Sequence, residues 1–259
     1  MCDACDRVLL APDSTLERMS IPWLHVLNEH PANLGQYTRL FEGRVSGFRG
    51  LLSGAKSLLS VANSLLKFGP SGRRPVLPPK ADVLVISHLL NLSQLGAAED
   101  FYFGRIPEAL VSQGLVTVVA LRDHTGTRRQ EPGNSWPTSM APRVLLPQTL
   151  GVFEELRLKR RLQKEASRLK SAASCDSVGF DACVYNAAAE QAVGPSAMAT
   201  LRLHVQVLEM VESLRPSSIV VTYEGHAWER IVFAAARSVN PSIRCIGYQH
   251  AILFPRQHA

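Results

Sequence analysis

Four short apolar runs rich in β-branched residues constrain this chain more than any other feature. Two of them, ADVLVISHLL (81–90) and LVTVVALRDH (115–124), flank a stretch of helical pattern, and two more, SSIVVTYEG (217–225) and IRCIGYQHA (243–251), flank another. Strands that are apolar on both faces are typical of a parallel sheet covered by helices. The sequence therefore predicts an α/β fold with a Rossmann-like, largely parallel sheet and flanking helices.

The segments between these runs complete the predicted fold. AEDFYFGRIPEALVSQG (98–114) is expected to be a helix that ends on its last glycine. RVLLP (143–147), after a proline-rich loop at 130–142, is expected to be a third strand. Two longer helices are predicted next, a basic one at 151–173 and another at 197–216 that Pro216 terminates.

Residues 1–80 are predicted to form a helical N-terminal region, and residues 81–259 a separate Rossmann-like domain. Within the first region, apolar residues recur at helical spacing over 48–68, opposite a face of Ser, Gly, Asn and basic residues without an acid. Such a helix either lies on a membrane surface or packs on its own domain. The segment 69–80 is dense in proline and glycine and is predicted to be a linker.

The composition is that of a globular chain, since 46% of the 259 residues are apolar and 19% are charged. The net charge of +6 favours anionic partners such as phosphorylated sugars, nucleic acid or a membrane surface. Nucleic acid is not expected, because the chain has no RNA- or DNA-binding motif. Neither a signal peptide nor a membrane-spanning segment is evident, so we expect a cytoplasmic location.

The cysteines and the known catalytic motifs exclude several classes of site. The spacing of Cys2 and Cys5 matches half of a zinc site, but the sequence has no second pair of ligands at a suitable spacing. We therefore expect no metal, and we expect both thiols to belong to a frayed terminus. The fingerprints of dinucleotide-binding enzymes, P-loop ATPases, elbow-type serine hydrolases and zincins are absent. No cofactor is therefore expected.

Polar residues follow each of the four apolar runs. In a parallel sheet these positions meet at the edge where ligands bind, so their side chains are predicted to bind substrate. A histidine recurs after all four runs. The predicted binding residues are His88, Asp123, His124, His226, Tyr248, Gln249 and His250.

Glu224, Gly225 and His226 stand where the third of these runs meets a helix. The glycine permits a sharp turn, but a turn needs neither the acid nor the histidine. A carboxylate at this edge suits a general base that deprotonates a hydroxyl, and Glu224 is the predicted catalytic residue. Alternatively, Glu224 caps the helix that follows and His226 fills the turn.

Two sequence blocks carry a resemblance to a known family. YEGHAWER (223–230) and GYQHA (247–251), joined by a helix of small residues, resemble bacterial surface-carbohydrate biosynthesis proteins of the glycosyltransferase-B type, and EDFYFGRIPEALVSQG (99–114) is similar to the first helix of their N-terminal domain. The resemblance covers residues 80–259. It implies two Rossmann-like domains facing each other across a cleft, the first for a glycan or lipid-linked acceptor and the second for a nucleotide-sugar donor.

The resemblance also implies a role for this chain. Since the chain ends shortly after GYQH, we expect it to be the acceptor-side half, with the donor domain missing and no activity by itself. Glu224 would be the base, and His88, His226, Gln249 and His250 would hold acceptor hydroxyls or the donor phosphate. No metal is implied, because no DxD-like carboxylate pair stands at a strand end.

Two other functions remain open from the sequence. One is a non-catalytic module that binds a sugar or a nucleotide. The other is a membrane-docking scaffold that uses the segment 48–68 and the basic stretch 157–170. In either the enzyme or the scaffold, the basic segments are compatible with a peripheral position on the anionic inner face of a membrane.

Overall fold

The structure of the protein is a computed structural model that describes residues 2–22, 77–125, 141–175 and 180–249. Several predictions lie outside these residues: the amphipathic helix at 48–68, residues 69–76 of the linker at 69–80, most of the loop at 130–142, and His250. Within the described part of the chain, no helix is long and apolar enough to cross a membrane.

The helices and strands occur in the following order. The chain forms α1 (Cys2–Leu9), α2 (Leu16–Met19), β1 (Val83–Leu89), a 3-10 helix (Leu92–Gly96), α3 (Ile106–Ser112), β2 (Thr117–Asp123), β3 (Arg143–Leu145), α4 (Val152–Cys175), α5 (Phe180–Ala192), α6 (Pro195–Leu214), β4 (Ser218–Thr222), α7 (Ala227–Val239) and β5 (Arg244–Tyr248). All five strands of the sheet were predicted from the sequence.

The sheet is parallel throughout, in the order β3-β2-β1-β4-β5. Val83 of β1 is in register with Thr117 of β2 on one side and with Ser218 of β4 on the other. The side chains of β1 alternate between the two faces of the sheet, and those of Leu84 and Val85 are both buried. A parallel sheet that is buried on both faces explains the unbroken apolar runs, and the Rossmann-like α/β prediction is confirmed.

The described chain divides into two compact units. The helical unit comprises residues 2–22, 151–175, 180–203 and 226–231, and the sheet unit comprises residues 77–125, 141–150, 204–225 and 232–249. The predicted division of the chain near residue 80 stays a prediction.

The helical unit has its own core, in which α5 packs against α1 and α4. Buried alanines of α5, such as Ala188 and Ala192, allow close packing of these helices. Cys5 is fully buried in this core, so the expectation of a frayed terminal thiol is wrong for this residue. The reason is that α1 is amphipathic and turns Cys5 and Val8 inward together.

The helix after β1 begins later than predicted. The pattern over 98–114 predicted one helix, but α3 covers only Ile106–Ser112, with Pro107 in its first turn. Residues 99–104 instead form a turn organised by the side chain of Asp100, which competes with helical hydrogen bonding. The predicted end of the helix is confirmed, since Gly114 has a φ of +83°.

Gly247 of β5 brings the two blocks of the resemblance together. A Cβ atom at this position would lie 2.8 Å from Cβ and 2.9 Å from Cγ of Tyr223. The amide of Tyr223 also donates to the carbonyl of Tyr248 at 3.0 Å. Glycine is therefore required here by the close approach of Tyr223, and the contact fixes where the chain leaves β4.

Candidate functional site

The polar residues that follow the strands lie at one edge of the sheet, because the strands are parallel and their carboxyl ends point the same way. From β1 the chain moves outward to β2 and β3, then returns to the other side of β1 with β4 and β5. The strand order thus reverses between β1 and β4, and ligands of such sheets bind beyond the strands at this switch point. His88 of β1 and Glu224 after β4 flank it.

His88 and His124 form a hydrogen-bonded pair at this edge. Nδ1 of His88 lies 2.9 Å from Nε2 of His124, and the ring centroids are 5.0 Å apart. One of the two nitrogens must donate and the other accept, so the contact cannot form when both rings are protonated.

The charges around His124 favour its neutral form. Burial of the imidazole ring lowers the pKa of His124 below its usual 6.5, and the positive charge of the neighbouring Arg122 lowers this pKa further. The carboxylate of Asp123 opposes this shift without reversing it. A neutral His124 can either donate to His88 or accept from it, according to its tautomer.

Asp100 is the residue that builds the turn before α3. Its side chain is buried, and Oδ1 accepts hydrogen bonds from Ser87 Oγ at 2.8 Å and from the amides of Tyr102 and Phe103 at 2.9 and 3.0 Å. Ser87 precedes His88 in β1, so Asp100 ties the turn to the end of the central strand. The turn holds the ring of Tyr102 edge-on to His88, with centroids 5.1 Å apart.

Arg143 secures the other end of the same loop. This buried side chain of β3 donates to the carbonyls of Gln94 and Ala97 at 3.1 and 2.8 Å. It also lies 3.5 Å from the carboxylate of Glu108 in α3. The loop between β1 and α3 is thus held by buried charged groups at both ends.

The phenol of Tyr102 faces negative charge. Burial raises the pKa of Tyr102, and the carboxylates of Glu224 and Asp100 raise it further. The hydroxyl therefore keeps its proton at neutral pH and can donate a hydrogen bond to a ligand or to a carboxylate. Glu224, which follows β4, thus contributes to the electrostatics of the loop that follows β1.

Glu229, four residues into the turn and helix after Gly225, makes a capping contact. Gly225 has a φ of +86°, which confirms that glycine permits the sharp turn. The amide of His226 then donates to Glu229 Oε2 at 2.8 Å, the contact of a capping box at the start of α7. Glu229 is fully buried, whereas Glu224 is half-buried at the sheet edge.

The other predicted site residues are placed as follows. The ring of Tyr248 packs 5.3 Å from that of Phe103 within the core of the sheet unit. Asp123 Oδ1 accepts from the amide and hydroxyl of Thr125 at 2.8 and 2.7 Å, which stabilises the turn after β2. Gln249 is exposed after β5. His226 is exposed and belongs to the helical unit.

The sequence prediction missed Asp100 and Tyr102 because both were assigned to a helix. The available signal was the EDFYFG segment, in which two acids and three aromatic residues precede a glycine shortly after a strand and its loop. Phe101, which is 62% exposed and packs edge-on against Tyr102 with centroids 5.0 Å apart, was missed for the same reason.

The described residues contain no group of three or more His, Cys, Asp or Glu side chains placed to hold a metal ion. Comparisons of the chain with family models, with curated proteins and with solved structures find no match. The chemistry of the sheet edge is therefore the basis for assigning a function.

The role of Asp100 is tested by Asp100→Ala. The substitution leaves the buried hydroxyl of Ser87 and two amides without their acceptor, and we expect it to lower the free energy of unfolding by about 3 kcal/mol. Glu99→Ala is the control: its ion pair with Arg105 is exposed, so its loss should cost less than about 1 kcal/mol. Equal losses in chemical denaturation would contradict the role of Asp100.

The charge environment of His124 is tested by its titration. NMR of the imidazole protons should give His124 a pKa below 6.5, and Arg122→Gln should raise that pKa while Arg244→Gln leaves it unchanged. In the unfolded chain this histidine has the ordinary pKa of about 6.5, so the unfolded chain takes up a proton at a higher pH than the folded protein does. The free energy of unfolding should therefore decrease as the pH falls below about 6.5. A pKa of His124 above 6.5 in the parent protein would refute this account.

Proposed function

We propose that the sheet unit is the acceptor-binding domain of a glycosyltransferase, with Glu224 as the general base. The observation that carries the proposal is the position of Glu224 at the switch point between β1 and β4, where its charge reaches Tyr102. The sequence resemblance to surface-carbohydrate glycosyltransferases supports the same function. Glu229 makes a capping contact at the start of α7.

In the proposed reaction, Glu224 takes the proton of an acceptor hydroxyl. The hydroxyl oxygen then forms a bond to the anomeric carbon of a nucleotide sugar, and the bond from that carbon to the phosphate oxygen breaks, so that the nucleotide leaves with the electron pair. The resemblance implies that a second Rossmann-like domain holds this donor. The acceptor is a glycan, free or lipid-linked.

The neighbouring side chains would orient the acceptor. The protonated hydroxyl of Tyr102 donates a hydrogen bond, and the His88–His124 pair offers both a donor and an acceptor to sugar hydroxyls. Orientation of the hydroxyl toward the donor contributes to the rate independently of the base. Tyr102 and the two histidines should therefore affect acceptor binding, and Glu224 the chemical step.

A non-catalytic sugar-binding module is the second candidate. It is favoured by Phe101, an exposed aromatic ring beside Tyr102 at the same edge, since a sugar ring stacks on an aromatic face without any base. The two candidates differ in what Glu224 does. In a binding module its substitution changes affinity alone.

Glu224→Gln in the full-length gene product separates the candidates. Transfer of radiolabelled sugar to a glycan acceptor should fall at least about a hundredfold at saturating acceptor, because the amide cannot take a proton. The melting temperature should change by only a few degrees. Near-normal turnover would exclude Glu224 as the base. A changed acceptor affinity in the variant, together with no turnover in the parent protein, would favour the binding module.

The matched control is Glu229→Gln, the same substitution five residues later. Removing the charge of this buried carboxylate weakens its bond to the His226 amide, so the melting temperature should fall. Turnover per folded molecule should stay within about twofold of the parent protein, because an N-terminal cap contributes stability and no rate. A loss of turnover equal to that of Glu224→Gln would mean that both act through structure.

A further inference from the structure

One exposed face of helix α4 carries a single sign of charge. At 100° per residue, five side chains of this helix fall within an arc of about 80° and extend along about 22 Å of its axis. All five are exposed to solvent, and one of them is a phenylalanine that is 86% exposed. The basic face of α4, as we call it, consists of Phe153, Arg157, Arg160, Lys164 and Arg168.

Two of the three acids of α4 point away from this face. Glu155 is buried and accepts from Arg202 at 2.6 and 2.9 Å, and Glu165 is buried and accepts from Arg18 of α2 at 2.7 Å. These ion pairs lie inside the helical unit. The second carboxylate oxygen of Glu165 also lies 3.4 Å from Arg168, whose guanidinium stays half-exposed, so this contact offsets the charge of the face only in part. Glu155 and Glu165 themselves are both buried beneath the outer surface of the helix.

The remaining charged groups of α4 do not change this sign. Glu154 lies 3.4 Å from Arg157 as an exposed pair, which offsets one charge weakly. Arg161 pairs with Glu17 at 2.6 Å and turns toward α2. Lys159 is buried, and this burial lowers its pKa, so it does not contribute to the face.

We propose that the basic face of α4 binds the surface of an anionic phospholipid bilayer, with Phe153 entering the interface between headgroups and acyl chains. A straight row of basic side chains matches a flat anionic surface, and each adds attraction that falls off within a Debye length. An exposed aromatic residue next to Val152, itself 36% exposed, gains by leaving water at such an interface. The inference stands independently of the transferase proposal.

A nucleic acid is the other polyanion that this charge would attract. The bilayer is favoured because Val152 and Phe153 form an apolar end to the row, which fits an acyl-chain boundary, whereas a phosphate backbone offers no apolar surface to Val152. A lipid surface also predicts separate contributions from charge and from Phe153. The two contributions are distinguishable by their dependence on salt.

The test is co-sedimentation of the full chain with phosphatidylcholine vesicles that contain about a third phosphatidylglycerol, against vesicles of phosphatidylcholine alone. The parent chain should bind the anionic vesicles at low salt and dissociate from them at high salt. Arg160→Glu with Lys164→Glu should reduce partitioning about tenfold or more. Phe153→Ser should weaken binding severalfold and leave its salt dependence unchanged, because it removes no charge.

The control is Lys80→Glu with Arg244→Glu, which changes the net charge by the same amount at exposed positions of the sheet unit. It should bind within about threefold of the parent chain, since screening makes attraction local. Equal losses in the two double variants, binding retained by the α4 variant, or no binding by the parent chain would each overturn the proposal. Binding to single-stranded RNA through the same residues, without binding to vesicles, would assign the face to nucleic acid instead. Circular dichroism verifies that each variant is folded.

Discussion

Parallel hydrogen bonding of β1 to β2 on one side and to β4 on the other fixes the positions of the strand-end residues in the candidate site. The register carries Ser87 and His88 to the same level as Leu121 and Arg122, so that His124 is the next residue to leave the sheet. On the other side, the pairing of β1 with β4 ends at Val221, β4 itself ends at Thr222, and Tyr223 and Glu224 come next. A shift of one residue in either pairing would turn these side chains to the opposite face.

The loop after β1 carries the other residues of the candidate site, and buried charged side chains hold this loop in place. The carboxylate of Asp100 and the guanidinium of Arg143 are both buried, and each satisfies several polar groups of the loop. Buried charges that are hydrogen-bonded in this way tolerate little displacement, since a broken contact leaves a charge without solvation. The ring of Tyr102 is thereby fixed against His88 rather than left on a flexible loop.

The two acids on either side of Gly225, Glu224 and Glu229, lie in different environments. Glu229 is buried and bonds the backbone at the start of α7, while Glu224 remains half-buried at the edge and raises the pKa of Tyr102. One carboxylate contributes to the stability of the turn and the other to the electrostatics of the site.

The strands, their parallel arrangement and the edge at which His88, His124 and Glu224 meet were predictable, because apolar runs and strand–helix alternation depend on local sequence alone. The start of α3 was not predictable, because the Asp100 turn depends on Ser87, thirteen residues earlier in the chain. Helical periodicity likewise located α4, but the inward direction of Glu155 and Glu165 depends on Arg202 and Arg18. These features depend on contacts between residues that are distant in sequence, and a local sequence pattern does not predict such contacts.

The pKa of Tyr102 tests most directly whether the ends of β1 and β4 form one site. Ultraviolet or NMR titration should show that Glu224→Gln lowers this pKa toward the ordinary value of a tyrosine, since the substitution removes a negative charge that disfavours the phenolate. Glu229→Gln, which removes the same charge from the start of α7, should leave the pKa of Tyr102 unchanged. A pKa of Tyr102 that is insensitive to Glu224→Gln would contradict the account, because the two strand ends would then not share a site.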